Sequence, residues 1–222
     1  MPTRVRVKIC GVRTPEIARA AADAGADAIG VVFAASSPRY VTREEAAAVV
    51  AAVPAFVETV GLFVTPDAEE ILATAEALGL SMVQLHGPTV AELVEELWPR
   101  RVIAAAAFDP ATGDETLYKW DQLHAKFNNL AAVLFDTPDA KAQGGTGRSF
   151  DWAALRGAID RVKPRVPVIL AGGLTPTNVA EAAKVVRPWA VDVSSGVESS
   201  RGIKDAGKIE SFCAAVATSQ KP

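Results

Sequence analysis

The chain has 222 residues, of which 50% are hydrophobic and 22% are charged, and its formal net charge is −3 at pH 7. A folded chain of this length buries roughly 70% of the surface that its unfolded form exposes, so it can build a core without metals or disulfides. The acidic balance disfavours nucleic acid as a partner, because binding to a phosphate backbone needs clustered Lys and Arg. The sequence contains neither the ~18-residue apolar run of a membrane helix nor the apolar block of a signal peptide. Two cysteines are too few for a secreted disulfide scaffold, and we therefore expect a cytoplasmic protein that acts on small molecules and contacts no membrane.

In chain order, a short β-like apolar run is followed by a loop and then by an Ala-rich helical pattern, and this unit recurs eight times. The predicted strands are Val5–Ile9, Ala28–Phe33, Val57–Val64, Ser81–Leu85, Val102–Ala107, Leu130–Phe135, Val166–Ala171 and Ala190–Val193. The predicted helices are Pro15–Ala24, Arg43–Ala52, Asp67–Leu78, Val90–Trp98, Glu115–Lys126, Trp152–Val162, Pro176–Val186 and Asp205–Ala217. The loops over 136–149 and 195–204 are rich in Gly, Ser and charge, and we expect them to be the most flexible.

Four helix starts carry capping signals. Thr14, Thr65 and Thr175 each precede a proline, an arrangement that favours a threonine cap with proline at the first helical position. Thr42 and Glu45 match a capping box, in which each side chain caps the other residue's backbone amide. These signals predict helices that begin directly after each of the four threonines.

Alternating strands and helices predict parallel strands joined by right-handed crossovers. Eight units fit an α/β fold in which residues 1–222 form a single (β/α)8 barrel domain, although the chain is short for one. An open doubly wound sheet is the alternative, and it would favour a Gly-rich turn after the first strand, where the chain reads Cys10-Gly11-Val12-Arg13. In a barrel the chemistry lies where strands end and the following loops begin.

The first strand alternates, with Val5, Val7 and Ile9 on one face and Lys8 and Cys10 on the other. In a barrel the apolar set faces the helices, and Lys8 and Cys10 point inward near the mouth. A thiol beside an ammonium in a partly exposed site favours the thiolate. A lone cysteine is also commonly a small buried hydrophobe, which is our interpretation of Cys213 in the last helix.

Polar and glycine residues follow several other strands. Asp136 follows the sixth strand directly, and the long loop after it makes a helix cap less plausible than a site residue. Gly172-Gly173 and Ser194-Ser195-Gly196 follow the seventh and eighth strands. Loops at these two places bind phosphate in many barrels, because glycine lets backbone amides approach an anion. Together they predict a phosphate site.

Three further side chains are candidates for the site. Arg39 offers a guanidinium fork to a carboxylate or phosphate, or is a solvated loop residue. Asp192 has the inward parity of its strand and needs a partner if it is buried. His86 ends the fourth strand and is as readily structural as catalytic.

The dispersed His and Cys residues lack a familiar zinc spacing, and no dinucleotide or P-loop fingerprint is present. The sequence therefore predicts a reaction without metal or cofactor on a phosphorylated small molecule.

Seven short motifs, taken in order, resemble those of the phosphoribosylanthranilate isomerase family of tryptophan biosynthesis. They are Lys8-Ile9-Cys10-Gly11, Ser37-Pro38-Arg39, Gln84-Leu85-His86-Gly87, Phe135-Asp136-Thr137, Gly144-Gly145-Thr146-Gly147, Leu170-Ala171-Gly172-Gly173-Leu174 and Val191-Asp192-Val193-Ser194-Ser195-Gly196-Val197-Glu198. No single motif is decisive, but the ordered set spans nearly the whole chain. The resemblance implies a (β/α)8 barrel, a monomer or homodimer, and an Amadori rearrangement of N-(5'-phosphoribosyl)anthranilate to 1-(o-carboxyphenylamino)-1-deoxyribulose 5-phosphate.

The resemblance also implies roles for individual residues. Asp136 would be the general acid and Cys10 the general base, Arg39 would bind the anthranilate carboxylate, and Asp192 would lie near the ribosyl hydroxyls. Gly172, Gly173, Ser195 and Gly196 would bind the phosphate. The chemistry needs a protonated Asp136 and a deprotonated Cys10, so we expect a raised pKa for Asp136, a lowered pKa for Cys10 and a bell-shaped pH profile.

One departure and three alternatives qualify the resemblance. The fifth strand reads Val102-Ile103-Ala104-Ala105-Ala106, where we expect many relatives to carry a lysine near Ala104, so part of the electrostatics at the barrel mouth should differ from theirs. A histidine-pathway phosphoribosyl isomerase shares the barrel, but that family has an aspartate where this chain has Cys10. A metal-dependent pentose-phosphate epimerase would need His and Asp ligands on several strands. A non-catalytic phosphate-binding barrel is the alternative from another class, and the acid–base pair argues against it.

Overall fold

The structure is a computed structural model that describes residues 4–64, 67–88, 90–136 and 151–219. The predicted loop after Asp136 lies outside these residues, as do the dipeptide Thr65-Pro66 and the motif Gly144-Gly145-Thr146-Gly147. Within these ranges no helix is both long and apolar enough to cross a bilayer.

Strands and helices alternate along the chain as predicted. The barrel strands are β1 (Arg6–Cys10), β2 (Ala28–Val32), β3 (Glu58–Val64), β4 (Met82–His86), β5 (Arg101–Ala107), β6 (Leu130–Asp136), β7 (Val168–Leu170) and β8 (Ala190–Val193). The helices are α1 (Pro15–Asp23), α2 (Arg43–Ala51), α3 (Ala68–Leu78), α4 (Val90–Glu96), α5 (Gly113–Lys126), α6 (Trp152–Val162), α7 (Val179–Val186) and α8 (Ala206–Ser219). A 3-10 turn (Ser195–Val197) and a short hairpin of β9 (Glu198–Ser200) and β10 (Ile203–Lys204) lie between β8 and α8.

The eight strands pair in sequence order and close into a parallel barrel. Closure is made by β1 and β8, where Val7 pairs with Val191 and Lys8 pairs with Asp192. This pairing confirms the predicted (β/α)8 barrel and excludes the open sheet. Because all eight strands run in one direction, their carboxyl ends meet at one mouth, and the residues after each strand come together there.

The core has two parts. Val7 and Ile9 lie in the larger part, which packs the outer face of the strands against the helices and also contains Cys213. The smaller part fills the barrel interior with strand residues such as Val60, Ile103 and Ile169. The alternation predicted for the first strand is therefore observed, since its apolar residues face the helices and Lys8 and Cys10 lie inside.

Two of the four predicted helix caps are confirmed. Thr14 accepts a hydrogen bond from the amide of Ile17, with proline at the first position of α1. Thr42 and Glu45 form the reciprocal capping box of α2, with hydrogen bonds of 3.2 and 2.8 Å.

The other two predicted threonine caps are wrong, and only the start of α7 differs from the predicted one by more than one residue. The cap of α3 is Asp67, whose carboxylate accepts from the amide of Glu70 at 2.8 Å. Asp67 stands directly before the helix and caps as well as threonine does. Helix α7 begins at Val179, because Pro176 lies in a turn that the Asn178 side chain closes on the amide of Thr175 at 2.8 Å.

The segment after β8 differs from the flexible loop that its composition predicts. It forms the 3-10 turn and the hairpin, and it buries the charged residues Glu198 and Lys204. Buried charges must be paired. Glu198 and Lys204 pair with each other, and Glu198 also binds Arg39 from 159 positions away, a contact that the composition of the segment does not reveal.

Candidate active site

The carboxyl ends of the strands enclose a cavity of about 760 Å³. Its walls contain every predicted substrate-binding residue together with Asp136 and His86, namely Arg39, His86, Asp136, Gly172, Gly173, Asp192, Ser195 and Gly196. Thr116, Lys119 and Trp120 of α5 also line the cavity. The sequence analysis missed these three, because a helix residue carries no signal that it leans over a barrel mouth.

The loops after β7 and β8 lie against each other in this cavity. Gly172 and Gly173 have φ angles of +85° and +63°, a left-handed conformation that glycine adopts without strain. A Cβ built on Gly196 would lie 1.8 Å from the carbonyl oxygen of Leu174, so only glycine allows this approach of the two loops. The amides of Gly173 and Ser195 donate no hydrogen bond to other described residues. Such backbone amides suit an anion.

Asn178 stabilises the first of these loops, and the sequence analysis did not single it out. Its Nδ2 donates to the carbonyl oxygen of Gly173 at 3.0 Å, and its Oδ1 accepts from the amide of Thr175. The turn that precedes α7 therefore also fixes the backbone of the glycine pair. An asparagine five positions after the second glycine, in a Thr-Pro turn, is a signal that could have indicated this.

Replacing Gly196 with alanine should weaken phosphate binding by about tenfold or more. The new methyl group overlaps the Leu174 carbonyl oxygen, so one of the two loops must move. Isothermal titration with inorganic phosphate measures the effect. Gly79→Ala is the matched control, because Gly79 also has a positive φ, of 62°, but a Cβ there meets no atom within 4 Å. Equal phosphate affinity for both variants would contradict an anion site at these loops.

Cys10 lies beside the cavity and not on its surface, since only 4% of the residue is exposed. Lys8 Nζ donates to Asp192 Oδ1 at 2.6 Å, and the charge of the same ammonium also acts on the Cys10 thiol. Glycine at position 30 makes room for both groups, because a Cβ there would lie 3.2 Å from Cys10 Sγ and 3.3 Å from Lys8 Nζ. The buried Asp192 thus has the partner that its burial requires.

The expected lowering of the Cys10 pKa is wrong. Burial raises the pKa of the thiol above its ordinary value, and the lowering effect of the Lys8 ammonium only partly offsets this. The sequence analysis assumed a partly exposed thiol, but closure of the barrel removes the water that would solvate a thiolate. Burial would also lower the pKa of Lys8, but Asp192 and then Cys10 raise it above its ordinary value, so Lys8 stays charged.

Arg39 reaches the cavity from the loop after β2, where it is already bound to a carboxylate. Its Nε and Nη2 donate to Glu198 Oε1 and Oε2 at 2.6 and 3.0 Å. Glu198 also accepts from Lys204 Nζ at 2.7 Å and from the amide of Gly202 at 3.1 Å. Glu198 and Lys204 are residues of the site that the sequence analysis did not single out, since no local pattern pairs them with Arg39.

His86 ends β4 at the wall of the cavity. Burial, followed by the charge of Lys8, lowers its pKa below the ordinary value, so the imidazole is neutral at pH 7. Its Nε2 lies 2.8 Å from Gln84 Nε2, and the neutral nitrogen can accept that amide proton. Among the described residues no three His, Cys, Asp or Glu side chains cluster closely enough to hold a metal ion.

The alanine that departs from the family pattern does not reach the mouth. Ala104 is fully buried among residues that pack the barrel against its helices, and it does not line the cavity. Ala105 and Ala107 of the same strand do line it. Ala104 itself therefore does not shape the mouth, whereas its neighbours do, and the expected difference in electrostatics stays a prediction for those neighbours.

A closed parallel barrel whose mouth is lined by two glycine-containing loops and an aspartate, with a buried thiol beside the cavity, is typical of a (β/α)8-barrel enzyme of phosphorylated small molecules. A sequence model described as N-(5'phosphoribosyl)anthranilate (PRA) isomerase matches residues 7–215. The chain belongs to the N-(5'-phosphoribosyl)anthranilate isomerase family.

Individual relatives agree with this assignment. The N-(5'-phosphoribosyl)anthranilate isomerase of Pseudomonas syringae pv. tomato is 47% identical over 212 residues, which cover 96% of this chain and 97% of that protein. The crystal structure of phosphoribosyl anthranilate isomerase from Thermotoga maritima has a TM-score of 0.84 and 38% identity, over 96% of this chain and 99% of that one. A structure of such an isomerase in complex with reduced 1-(o-carboxyphenylamino)-1-deoxyribulose 5-phosphate has a TM-score of 0.82 and 37% identity, with the same coverage.

Proposed function

We propose that this cavity catalyses the Amadori rearrangement of N-(5'-phosphoribosyl)anthranilate to 1-(o-carboxyphenylamino)-1-deoxyribulose 5-phosphate, a step of tryptophan biosynthesis. The observation that carries the proposal is the placement of Asp136, the buried Cys10 and the two glycine loops around one cavity of about 760 Å³. A cavity of this size suits a small organic ligand. That the enzyme works in the cytoplasm, as a monomer or a homodimer, stays a prediction.

The two charged ends of the substrate match two parts of the cavity. The phosphate would bind the backbone amides of Gly172, Gly173, Ser195 and Gly196, because such amides bind an anion without needing a nearby cation. The carboxylate of the anthranilate ring would bind the Arg39 guanidinium. Binding at both ends would place the ribosyl group between Asp136 and the Cys10–Asp192 side of the mouth.

The reaction then needs one acid and one base. Asp136, in its protonated form, gives its proton to the furanose ring oxygen as the bond from that oxygen to C1' breaks, which leaves a Schiff base between C1' and the anthranilate nitrogen. The Cys10 thiolate removes the proton from C2', and the electron pair shifts to form an enolamine. Tautomerisation of the enolamine yields the ketone, so the substrate gains and loses no atoms overall.

Lys8 would help Cys10 to act as the base. Its ammonium is held in place by Asp192, and its charge lowers the pKa of the nearby thiol. A positive charge at this distance in a buried site favours the thiolate. Lys8 therefore offsets part of the unfavourable effect of burial, and Asp192 acts through Lys8 in addition to any contact with the ribosyl hydroxyls.

The pH dependence of kcat/KM should show a broad plateau that ends on the alkaline side above the ordinary pKa of a thiol. Activity needs Cys10 as thiolate and Asp136 as acid, and kcat/KM reports the free enzyme. The thiolate fraction rises with pH up to the raised pKa of Cys10, while the protonated fraction of Asp136 falls, and the two changes cancel between the two pKa values. The thiolate ultraviolet absorbance of the wild type, minus that of Cys10→Ser, assigns the alkaline limb. A narrow bell near neutral pH, with Cys10 ionised there, would contradict the raised pKa.

Turnover is the direct test of the proposed function. Phosphoribosylanthranilate is generated in situ, and its loss is followed by the decrease of substrate fluorescence. The expected result is turnover by the wild type, with little or none of the histidine-pathway phosphoribosyl substrate converted, because Cys10 stands where that family has an aspartate. A folded wild type that converts neither substrate would instead favour a phosphate-binding barrel without catalytic activity.

A further inference from the structure

We infer that Glu198 is a positioning residue for substrate recognition: it holds the Arg39 guanidinium so that one edge of the fork stays available for the carboxylate of the aryl ring. This inference rests on the proposed function, since it assigns a second residue to the contact that Arg39 makes there. Glu198 lies in β9, outside the eight strands that form the barrel, and only 8% of the residue is exposed.

The hydrogen bonds between Arg39 and Glu198 use one edge of the guanidinium. Nε and one proton of Nη2 donate to the two carboxylate oxygens in a fork. The two protons of Nη1 and the second proton of Nη2 remain, and within the described residues Nη1 donates no hydrogen bond. A guanidinium can bind one carboxylate on each of two edges, so the pair with Glu198 orients Arg39 without blocking a ligand.

Glu198 is itself held firmly. Lys204 Nζ donates to Glu198 Oε1 at 2.7 Å and also to the carbonyl oxygen of Ser194 at 3.2 Å. Lys208 Nζ donates to the carbonyl oxygen of Glu198 at 2.6 Å. Burial alone would raise the pKa of Glu198, but the hydrogen bonds from Arg39, Lys204 and the Gly202 amide lower it to about 2, so the carboxylate stays charged throughout the neutral range.

The backbone around Arg39 leaves its side chain little freedom. A Cβ on Gly202, which has a φ of +83°, would lie 2.5 Å from the carbonyl oxygen of Pro38, so the turn of the hairpin packs directly on the loop that carries Arg39. A Cβ on Gly11 would lie 2.6 Å from Arg39 Cδ on the other side. The stem of Arg39 therefore runs between the end of β1 and the hairpin, and Glu198 sets the orientation of its head.

Lys204 connects this arrangement to the phosphate loop. It bonds both Glu198 and the residue that begins the loop after β8, with its Nζ 3.3 Å from Ser194 Oγ. The groups that would bind the two ends of the substrate are thus held at a defined separation by one buried network. A recognition geometry that is set before the ligand arrives reduces the ordering that binding requires.

The test compares two ligands that differ only in the aryl carboxylate. The first is reduced 1-(o-carboxyphenylamino)-1-deoxyribulose 5-phosphate, and the second is the same compound made from aniline. Isothermal titration should show that Glu198→Gln weakens binding of the carboxylate compound by about tenfold or more and binding of the aniline compound by less than about threefold. Arg39→Ala should make the two dissociation constants nearly equal. Adding Glu198→Gln to Arg39→Ala should change their ratio no further, because Glu198 acts through Arg39.

Two variants keep the result interpretable. Asp160→Asn is the matched control, because Asp160 also pairs with both ends of a guanidinium fork, that of Arg156 on α6, away from the cavity. It should leave both dissociation constants unchanged. Thermal melting monitors folding, and if Glu198→Gln does not fold, Glu198→Asp replaces it. That variant keeps the charge beside Lys204 but is one methylene shorter, so it should lose part of the preference.

Several outcomes would overturn the inference. Equal weakening of both ligands by Glu198→Gln would indicate a purely structural role. An unchanged preference for the carboxylate compound would show that Glu198 does not position Arg39. An additive loss in the Arg39→Ala background would show that Glu198 acts independently of Arg39. If the wild type binds both ligands equally, Arg39 makes no contact with the aryl carboxylate. The inference is then wrong even if the enzyme converts its substrate. A wild type that prefers the carboxylate compound but does not turn over contradicts the proposed function alone.

Discussion

Cys10→Ser should lower kcat/KM by at least about 100-fold, which is the lower end of what a general base contributes. Serine keeps the size and the position of the side chain, but its hydroxyl does not ionise in the pH range in which the thiol does. The loss should lie in kcat, with KM nearly unchanged, because the thiol is buried beside the cavity and adds little to substrate binding. Fluorescence assays of phosphoribosylanthranilate turnover measure both constants.

Cys213→Ser is the matched control for this substitution. Cys213 is the second buried cysteine, and it packs in the core at α8, away from the cavity. Burial raises its pKa to about 11, so it is a neutral, structural thiol. The control should lower thermal stability slightly and leave kcat unchanged. A Cys10→Ser enzyme as active as the control would eliminate Cys10 as the base and would leave Lys8 and Asp192 as the groups to examine.

Asp136→Asn should also lower kcat/KM by at least about 100-fold. The amide has nearly the shape of the carboxylic acid but cannot transfer a proton to the ring oxygen, so the Schiff base would have to form without an acid. Asp136 ends β6 at the wall of the cavity, where its strand pairs it with Ala107 of β5. The dissociation constant of the reduced product should change little, since that compound is already open and needs no proton.

Asp109→Asn separates the loss of an acid from the loss of a charge at the mouth. Asp109 lies just beyond β5, is exposed, and caps the amide of Ala111 at 2.9 Å without lining the cavity. It should keep full activity. If Asp109→Asn loses as much activity as Asp136→Asn, the two carboxylates act through the electrostatic effect of their negative charges on the site. The proton donor must then be another group. If Asp136→Asn is fully active, the acid assignment is wrong.

The sequence predicted the fold well because each strand–helix unit carries its own pattern. Apolar alternation in β1 and capping residues such as Thr14 and Thr42 act within a few residues, so no knowledge of the rest of the chain is needed. The predicted threonine caps of α3 and α7 were wrong because other local polar side chains competed with them. Asp67 caps α3, and the Asn178 side chain closes a turn before α7 instead of allowing the helix to begin at Pro176. The segment after β8 was predicted as a flexible loop for another reason. Its order depends on a buried pair of Glu198 and Lys204 within the hairpin and on the distant Arg39 that Glu198 also binds.

The sequence by itself determined the barrel, the mouth at which the site lies and the residues that surround it, because strand ends and glycine loops are local features that parallel closure brings together. Only the tertiary structure decided the electrostatics. Lys8 pairs with Asp192 from 184 positions away, and Arg39 pairs with Glu198 from 159 positions away. The Cys10 pKa is raised because the closed barrel buries the thiol at the end of β1. Charges interact through distance and solvent exposure, and neither quantity exists until the barrel has closed.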